Sequence, residues 1–285
     1  MAQDHADAIR RYYETDRNLR IHEETQAKYS VPRVDFVRWT LDTIDWTGNE
    51  VILDIGAGRG SHYARLMQEQ PDITYFALDL SPSLLRCHPC AADRLALGDA
   101  MRLPFHSDSF DIVMANHVLY HLADVDAGLA EIKRVLKPDG RVLAATDSLH
   151  NIPQLQMLIH RANVFLSDNG VKVKPPTLPC DAFALENGTR ILARHFFAVV
   201  RHDLPCQLKF DDIEPAMEYL ESMRDLRQGG LPEDVDWEHM MMVVRRDMTQ
   251  LLQLGGSLDI DLAVGALVAS DRGGFIGDFV RRNHA

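Results

Sequence analysis

The run Val51-Ile52-Leu53-Asp54-Ile55-Gly56-Ala57-Gly58-Arg59-Gly60 constrains this chain more than any other stretch. Its first five residues, nearly all apolar, suit a strand buried on both faces of a parallel sheet. The three glycines, at alternate positions, let backbone approach a ligand closely. The helix expected to follow, over Arg59–Gln70, offers unpaired N–H groups at its start. Nucleotide folds of several kinds use such a loop. The dinucleotide form needs G-x-G-x-x-G, and here Ser61 stands where the third glycine would be.

Strand and helix signals then alternate. Ile73–Leu78 reads as a second strand, and Pro82–Cys87 as a helix with Ser81 as its cap and proline at its first position. Leu95–Leu97 and Phe110–Ala115 read as the third and fourth strands. Val125–Val135 is a helix, stopped by a turn at Lys137-Pro138-Asp139-Gly140, and Arg141–Thr146 is a fifth strand. This regularity argues an α/β doubly wound, mostly parallel sheet. Residues 1–45 read as a helical cap, with Val34, Val37, Leu41 and Ile44 at helical spacing. Residues 46–150 form the core and 151–195 a helical insertion broken at Lys174-Pro175-Pro176. In 196–285 come a sixth strand at Phe196–His202, a helical lid over about 212–254 and a C-terminal hairpin pairing Val264–Ala269 with 274–281. Trp237, Met240, Met241, Val244, Met248, Leu251 and Leu252 share one face of the lid. That face serves packing or, because methionine adapts to irregular shapes, an apolar acceptor pocket.

The 285 residues carry 30 Lys+Arg against 42 Asp+Glu, a formal net charge of −12. Such a surface repels phosphate backbones and anionic lipid, so neither nucleic acid nor membrane is an expected partner. The start of the chain is polar and acidic, unlike a signal peptide. The longest nearly apolar stretch, Leu262–Ala269, is far short of the ~20 residues that span a bilayer. The expectation is a cytoplasmic monomer or homodimer. Cys87 and Cys90 stand in a Cys-His-Pro-Cys run, but no second pair completes a zinc site. They read as free thiols, and no metal is expected.

Three aspartates follow the strands. Asp54 precedes the glycines, and Asp79 ends the second strand, where a carboxylate can accept both hydroxyls of a ribose. Asp99, with the backbone of Ala100, follows the third strand, where the pair can read an adenine edge. Each alone is an ordinary turn or cap residue. Together they mark the edge at which such sheets bind ligands.

With Leu103-Pro104-Phe105, Ser109-Phe110-Asp111-Ile112-Val113 and Glu131–Gly140 added, the ordered set of motifs resembles the class I S-adenosylmethionine-dependent methyltransferases of the small-molecule type. That group includes ubiquinone/menaquinone-biosynthesis-like, type 11 enzymes. The resemblance covers 50–147 and departs at Asp139, where the family usually shows glycine. It implies a Rossmann-like, seven-stranded sheet, S-adenosyl-L-methionine as cofactor and a small-molecule acceptor. Gly56, Ala57 and Gly58 would hold the methionine moiety, with Asp54 beside them. Asp79 would hold the ribose hydroxyls, Asp99 and Ala100 the adenine, and Asn116 and His117 would lie beside the sulfonium, with Leu80 a further cofactor-binding residue. Tyr13 and Arg20 match a segment that closes over the cofactor in some relatives.

The transferred methyl is already activated, so a base is needed only if the acceptor must lose a proton. The catalytic candidates are His117 and His121, four apart and on one face if helical. They read as an acceptor-side base, as a two-histidine metal site, or as residues that line the pocket. No glutamate follows His117 as H-E-x-x-H requires. His62 reads as structural. The competing functions are a nicotinamide-dependent oxidoreductase and a non-catalytic S-adenosylmethionine-binding protein.

Overall fold

The computed structural model describes residues 2–168, 173–175, 179–273 and 275–276. In chain order its helices are α1 (Ala2–Tyr12), α2 (Arg17–Tyr29), α3 (Phe36–Leu41), α4 (Ser61–Glu69), α5 (Pro82–Cys87), α6 (Val125–Val135), α7 (Pro153–Leu166), α8 (Leu185–Leu192), α9 (Ile213–Glu221), α10 (Arg224–Arg227) and α11 (Trp237–Gly255). Its strands are β1 (Ser30–Val31), β2 (Val51–Ile55), β3 (Thr74–Asp79), β4 (Leu95–Leu97), β5 (Phe110–Met114), β6 (Leu136–Asp147), β7 (Ala198–Phe210) and β8 (Leu258–Ser270). Among the described residues they form one sheet of eight strands in the order β1-β7-β8-β6-β5-β2-β3-β4. Strands β4, β3, β2, β5 and β6 are mutually parallel, and β8 pairs antiparallel to β6.

The chain divides into two compact units. The sheet unit comprises Phe36–Leu149, Cys180–Leu204 and the described part of Val264–Ala285. On one of its sheet faces Ile52, Ile112, Met114, Tyr75 and Leu143 join Leu41 and Leu66 in a single buried cluster. Alternation along each strand sends Leu53 and Val113 to the other face, and both are fully buried. Burial on both faces explains why these strands read as continuous apolar runs. The predicted cap of α5 is present: Ser81 Oγ accepts from Leu84 N at 3.3 Å, and Pro82 opens the helix.

The helical unit comprises Met1–Asp35, His150–Pro179 and Pro205–Ala263. Its core joins Leu155 and Ile159 of α7 to Met217 and Leu220 of α9 and to Trp237 and Met248 of α11. Asp236 starts α11 by accepting from His239 N at 2.8 Å, and Gly256 ends it in the left-handed region at φ 73°. Of the lid face read from sequence, Trp237, Met240, Val244 and Met248 are buried, whereas Leu251 is exposed.

Three local expectations are corrected. The sheet gains β1, a two-residue strand on β7 within a segment read as helical; so short a pairing leaves no periodic signal. The turn at Lys137–Gly140 does not precede the fifth strand but lies within it. Pairing jumps from Phe110↔Leu136 to Ile112↔Arg141, so the extra residues loop out as a bulge. Lys137 Nζ ties the bulge to Asp111 at 2.9 and 2.8 Å. A Cβ at Gly140 would come within 2.9 Å of Lys137 O, a close approach only glycine permits. Finally, Val264–Ala269 is no hairpin arm. It is the end of β8, whose two edges are taken by β7 and β6. The other expected arm, 274–281, lies outside the described residues except for Phe275 and Ile276.

Candidate active site

Parallel strands deliver their carboxyl ends to one edge of the sheet unit, and the sequence-predicted core residues gather there. The glycine loop between β2 and α4 has Gly56, Gly58 and Gly60 at φ 68°, 56° and 81°, all left-handed. The N–H groups of Gly56 and Ala57 donate to Leu78 O at 2.8 and 3.2 Å, stitching the loop to the end of β3. Asp79 completes the seam, for its Oδ2 accepts from Gly58 N at 2.9 Å and its Oδ1 from Ser81 N at 2.8 Å. Burial pushes the Asp79 carboxyl above the usual carboxylate range, and its backbone donors pull the other way. Next to it Leu80 is 60% exposed. At the end of β4, Asp99 Oδ1 accepts from Met101 N at 2.9 Å, while Ala100 is buried.

Asp54 lies deeper, 2% exposed, and its Oδ2 accepts from Tyr75 OH at 2.6 Å. Burial raises its carboxyl to about 7. The Tyr75 hydroxyl works against that shift, and the charge of Asp79 adds to it. A carboxyl with a raised folded-state pKa binds its proton more tightly in the folded than in the unfolded chain. Its ionisation therefore costs stability, from its unfolded value near 3.8 up to about 7. Stability should fall across that window by as much as about 4 kcal/mol, at ~1.4 kcal/mol per unit. Asp54→Asn, which still accepts from Tyr75, should remove most of the fall, leaving a smaller trend of the same sign from Asp79. Urea unfolding from mildly acid to neutral pH tests this; parallel pH curves for the two proteins would refute it.

Under the loop sits His88, which the sequence reading passed over in weighing its flanking cysteines. Its ring stacks on Tyr75 at 5.9 Å, and its Nδ1 accepts from Cys90 N at 3.1 Å. Burial pushes the imidazole down to about 4, so it stays neutral. Cys87 is exposed and Cys90 buried, both free. Among the described residues no cluster of histidines, cysteines and carboxylates could hold a metal ion.

Past β5, Asn116 Oδ1 accepts from Ala145 N at 3.0 Å, which turns its Nδ2 toward His62 Nε2 at 3.3 Å. His117 has a left-handed backbone, φ 53°, and its N–H donates to Ala145 O at 2.8 Å. His121 ends a separate 3-10 turn, Leu119–His121. The two catalytic candidates therefore do not share a helix. The pairing demands of β6 on Asn116 and His117 prevent one from starting there. His117 Nδ1 instead faces Tyr120 OH at 3.4 Å and Asp147 Oδ1 at 3.9 Å. Asp147, the last residue of β6, was missed from sequence. The signal that picked out Asp79, an acid ending a strand, would have found it.

Tyr13 and Arg20 belong to the helical unit. Tyr13 packs edge-on against Tyr12 at 4.7 Å, and Arg20 lies 3.7 Å from Glu24 one turn along α2.

Residues 53–144 match the family model described as "Methyltransferase domain". The ubiquinone/menaquinone biosynthesis C-methyltransferase UbiE of Paracoccus denitrificans is 34% identical over 134 residues, 43% of this chain and 54% of that protein. The malonyl-[acyl-carrier protein] O-methyltransferase of Hahella chejuensis is 33% identical over 113 residues, 38% of this chain and 40% of that protein. The chain thus spans about half the length of the curated relatives it matches. Among solved structures, YcgJ of Bacillus subtilis aligns with a TM-score of 0.53 at 19% identity, over 83% of this chain and 98% of that one. That likeness is one of fold. Over residues 53–144, then, the chain is similar to a methyltransferase domain. With Ser61 opening α4 in place of the third glycine, a dinucleotide reading is not favoured.

Proposed function

We propose that this protein transfers the methyl group of S-adenosylmethionine to a small-molecule acceptor. The observation that carries the reading is Asp79, which links the glycine loop to the start of α5 from the carboxyl end of β3. The donor set suits the cofactor. Left-handed glycines bring backbone close: a Cβ at Gly56 would already stand 2.9 Å from Val118. Asp79 keeps acceptor capacity for ribose hydroxyls beyond its two backbone donors. Leu80 offers its exposed apolar side chain, and Asp99 with the Ala100 backbone suits a nucleobase edge. Asp54 supports this row from below through Tyr75. Asn116 and His117 lie at the end of β5, the place the resemblance gives to the reacting sulfur. The bound cofactor would supply an activated methyl group. The chain's own task is then to align the acceptor and exclude water.

Calorimetry tests the assignment. S-adenosylhomocysteine should bind the wild type, and Asp79→Ala should weaken it by about 1.5–3 kcal/mol, roughly 10- to 150-fold, as for a hydrogen bond to a charged group. No binding by the wild type would overturn the function. Equal binding by a folded Asp79→Ala would overturn the ribose assignment alone.

A further inference from the structure

We infer that Asp147 is the positioning residue of a His117 general base, so that the atom methylated by this protein carries a proton to be lost: a hydroxyl, a thiol or an acidified carbon. The inference rests on the methyl-transfer reading above and narrows its acceptor class.

Three observations converge. First, His117 is a non-glycine residue held at φ 53°. Such conformations cost stability and persist where surrounding contacts over-determine them, commonly at functional sites. Second, those contacts fix the ring. His117 N–H is bonded to Ala145 O, and the imidazole packs on Phe36 with centroids 5.4 Å apart. Third, the two ring nitrogens have different surroundings. Nδ1 faces Asp147 Oδ1 and Tyr120 OH. Nε2 has no hydrogen-bond partner among the described residues, although the side chain is 33% exposed and reachable.

An ionised carboxylate only accepts. In the proposed tautomer Nδ1 carries the proton, directed at Asp147 and the Tyr120 oxygen, and Nε2 keeps its lone pair. That is the arrangement of an oriented base. The separations exceed those of finished hydrogen bonds, as is common at catalytic groups before the reacting complex forms. Tyr120 OH also faces Nδ1, while His62 Nε2 faces Asn116 Nδ2 at 3.3 Å. In the reaction Nε2 takes the proton of the acceptor atom, whose freed electron pair forms the bond to the methyl carbon. The carbon–sulfur pair leaves with sulfur, and the imidazolium returns its proton to solvent.

The test is the tautomer of His117. The full chain, labelled with ¹⁵N-histidine and mixed with S-adenosylhomocysteine, is read by long-range ¹⁵N–¹H correlation at mildly alkaline pH. The His117 signals are identified by their loss in His117→Asn. The expected result is the Nδ1–H form in the wild type and a shift toward Nε2–H in Asp147→Asn. An Nε2–H wild type, or a wild-type tautomer in Asp147→Asn, would overturn the pairing. Calorimetry with S-adenosylhomocysteine separates the two claims. If the wild type fails to bind it, the methyl-transfer reading falls and the acceptor class falls with it. If it binds while the tautomer is wrong, only the inference falls.

Discussion

His117→Asn should lower kcat by about 10²-fold or more, the usual scale for loss of a general base, while S-adenosylhomocysteine affinity and folding stay near those of the wild type. Asparagine suits this position because it tolerates the left-handed backbone better than most residues, so the change removes the base without adding strain. The measurement is methyl transfer from labelled S-adenosylmethionine to an acceptor found in a panel of hydroxyl- and thiol-bearing metabolites. Retained turnover would mean that His117 only shapes the pocket and that alignment alone suffices for the reaction. The same panel should show Asp147→Asn with a smaller loss, since the imidazole remains and only its tautomer preference is weakened.

Gly60→Ala should destabilise the protein by about 2–5 kcal/mol. Gly60 is at φ 81°, where a Cβ costs ~1–2 kcal/mol. The new atom would also stand 2.7 Å from both His88 Nε2 and Pro89 Cδ, and overpacking of that kind costs ~1–3 kcal/mol. Urea unfolding measures the loss. His88→Ala in the same chain should recover the part of the steric cost that the imidazole imposes, but neither the Pro89 contact nor the backbone part, so the two substitutions should be non-additive. Additive effects would show that the loop and His88 are not in register as described. Cofactor affinity should fall in Gly60→Ala as well, because Gly58 N and Asp79 Oδ2 are held together two residues away.

The legible parts of this molecule were those whose cause is local. The apolar runs of β2, β3 and β5 and the Ser81-Pro82 start of α5 need only neighbouring residues to be recognised. The aspartates at strand ends were legible for the same reason, since a strand's end and its last polar residue adjoin in the chain. The bulge in β6 was misread because Lys137-Pro138-Asp139-Gly140 has the composition of a turn. Only pairing with β5, and the Lys137–Asp111 contact, shows that the strand starts before it. The hairpin expected at the C-terminus failed for a like reason: nothing in Val264–Ala269 says that both its edges are already taken.

By itself, then, the sequence determined a parallel sheet and a glycine loop. Hydrophobic period and the need for left-handed φ act through residues close in the chain, and any fold must satisfy them. Tertiary structure alone decided which side chains meet at the loop's edge. Tyr75 reaches Asp54 across 21 residues, His88 lies beneath Gly60, and Asp147 faces His117 across adjacent parallel strands. Those meetings depend on strand order and register, which place distant residues side by side and leave no trace in local periodicity.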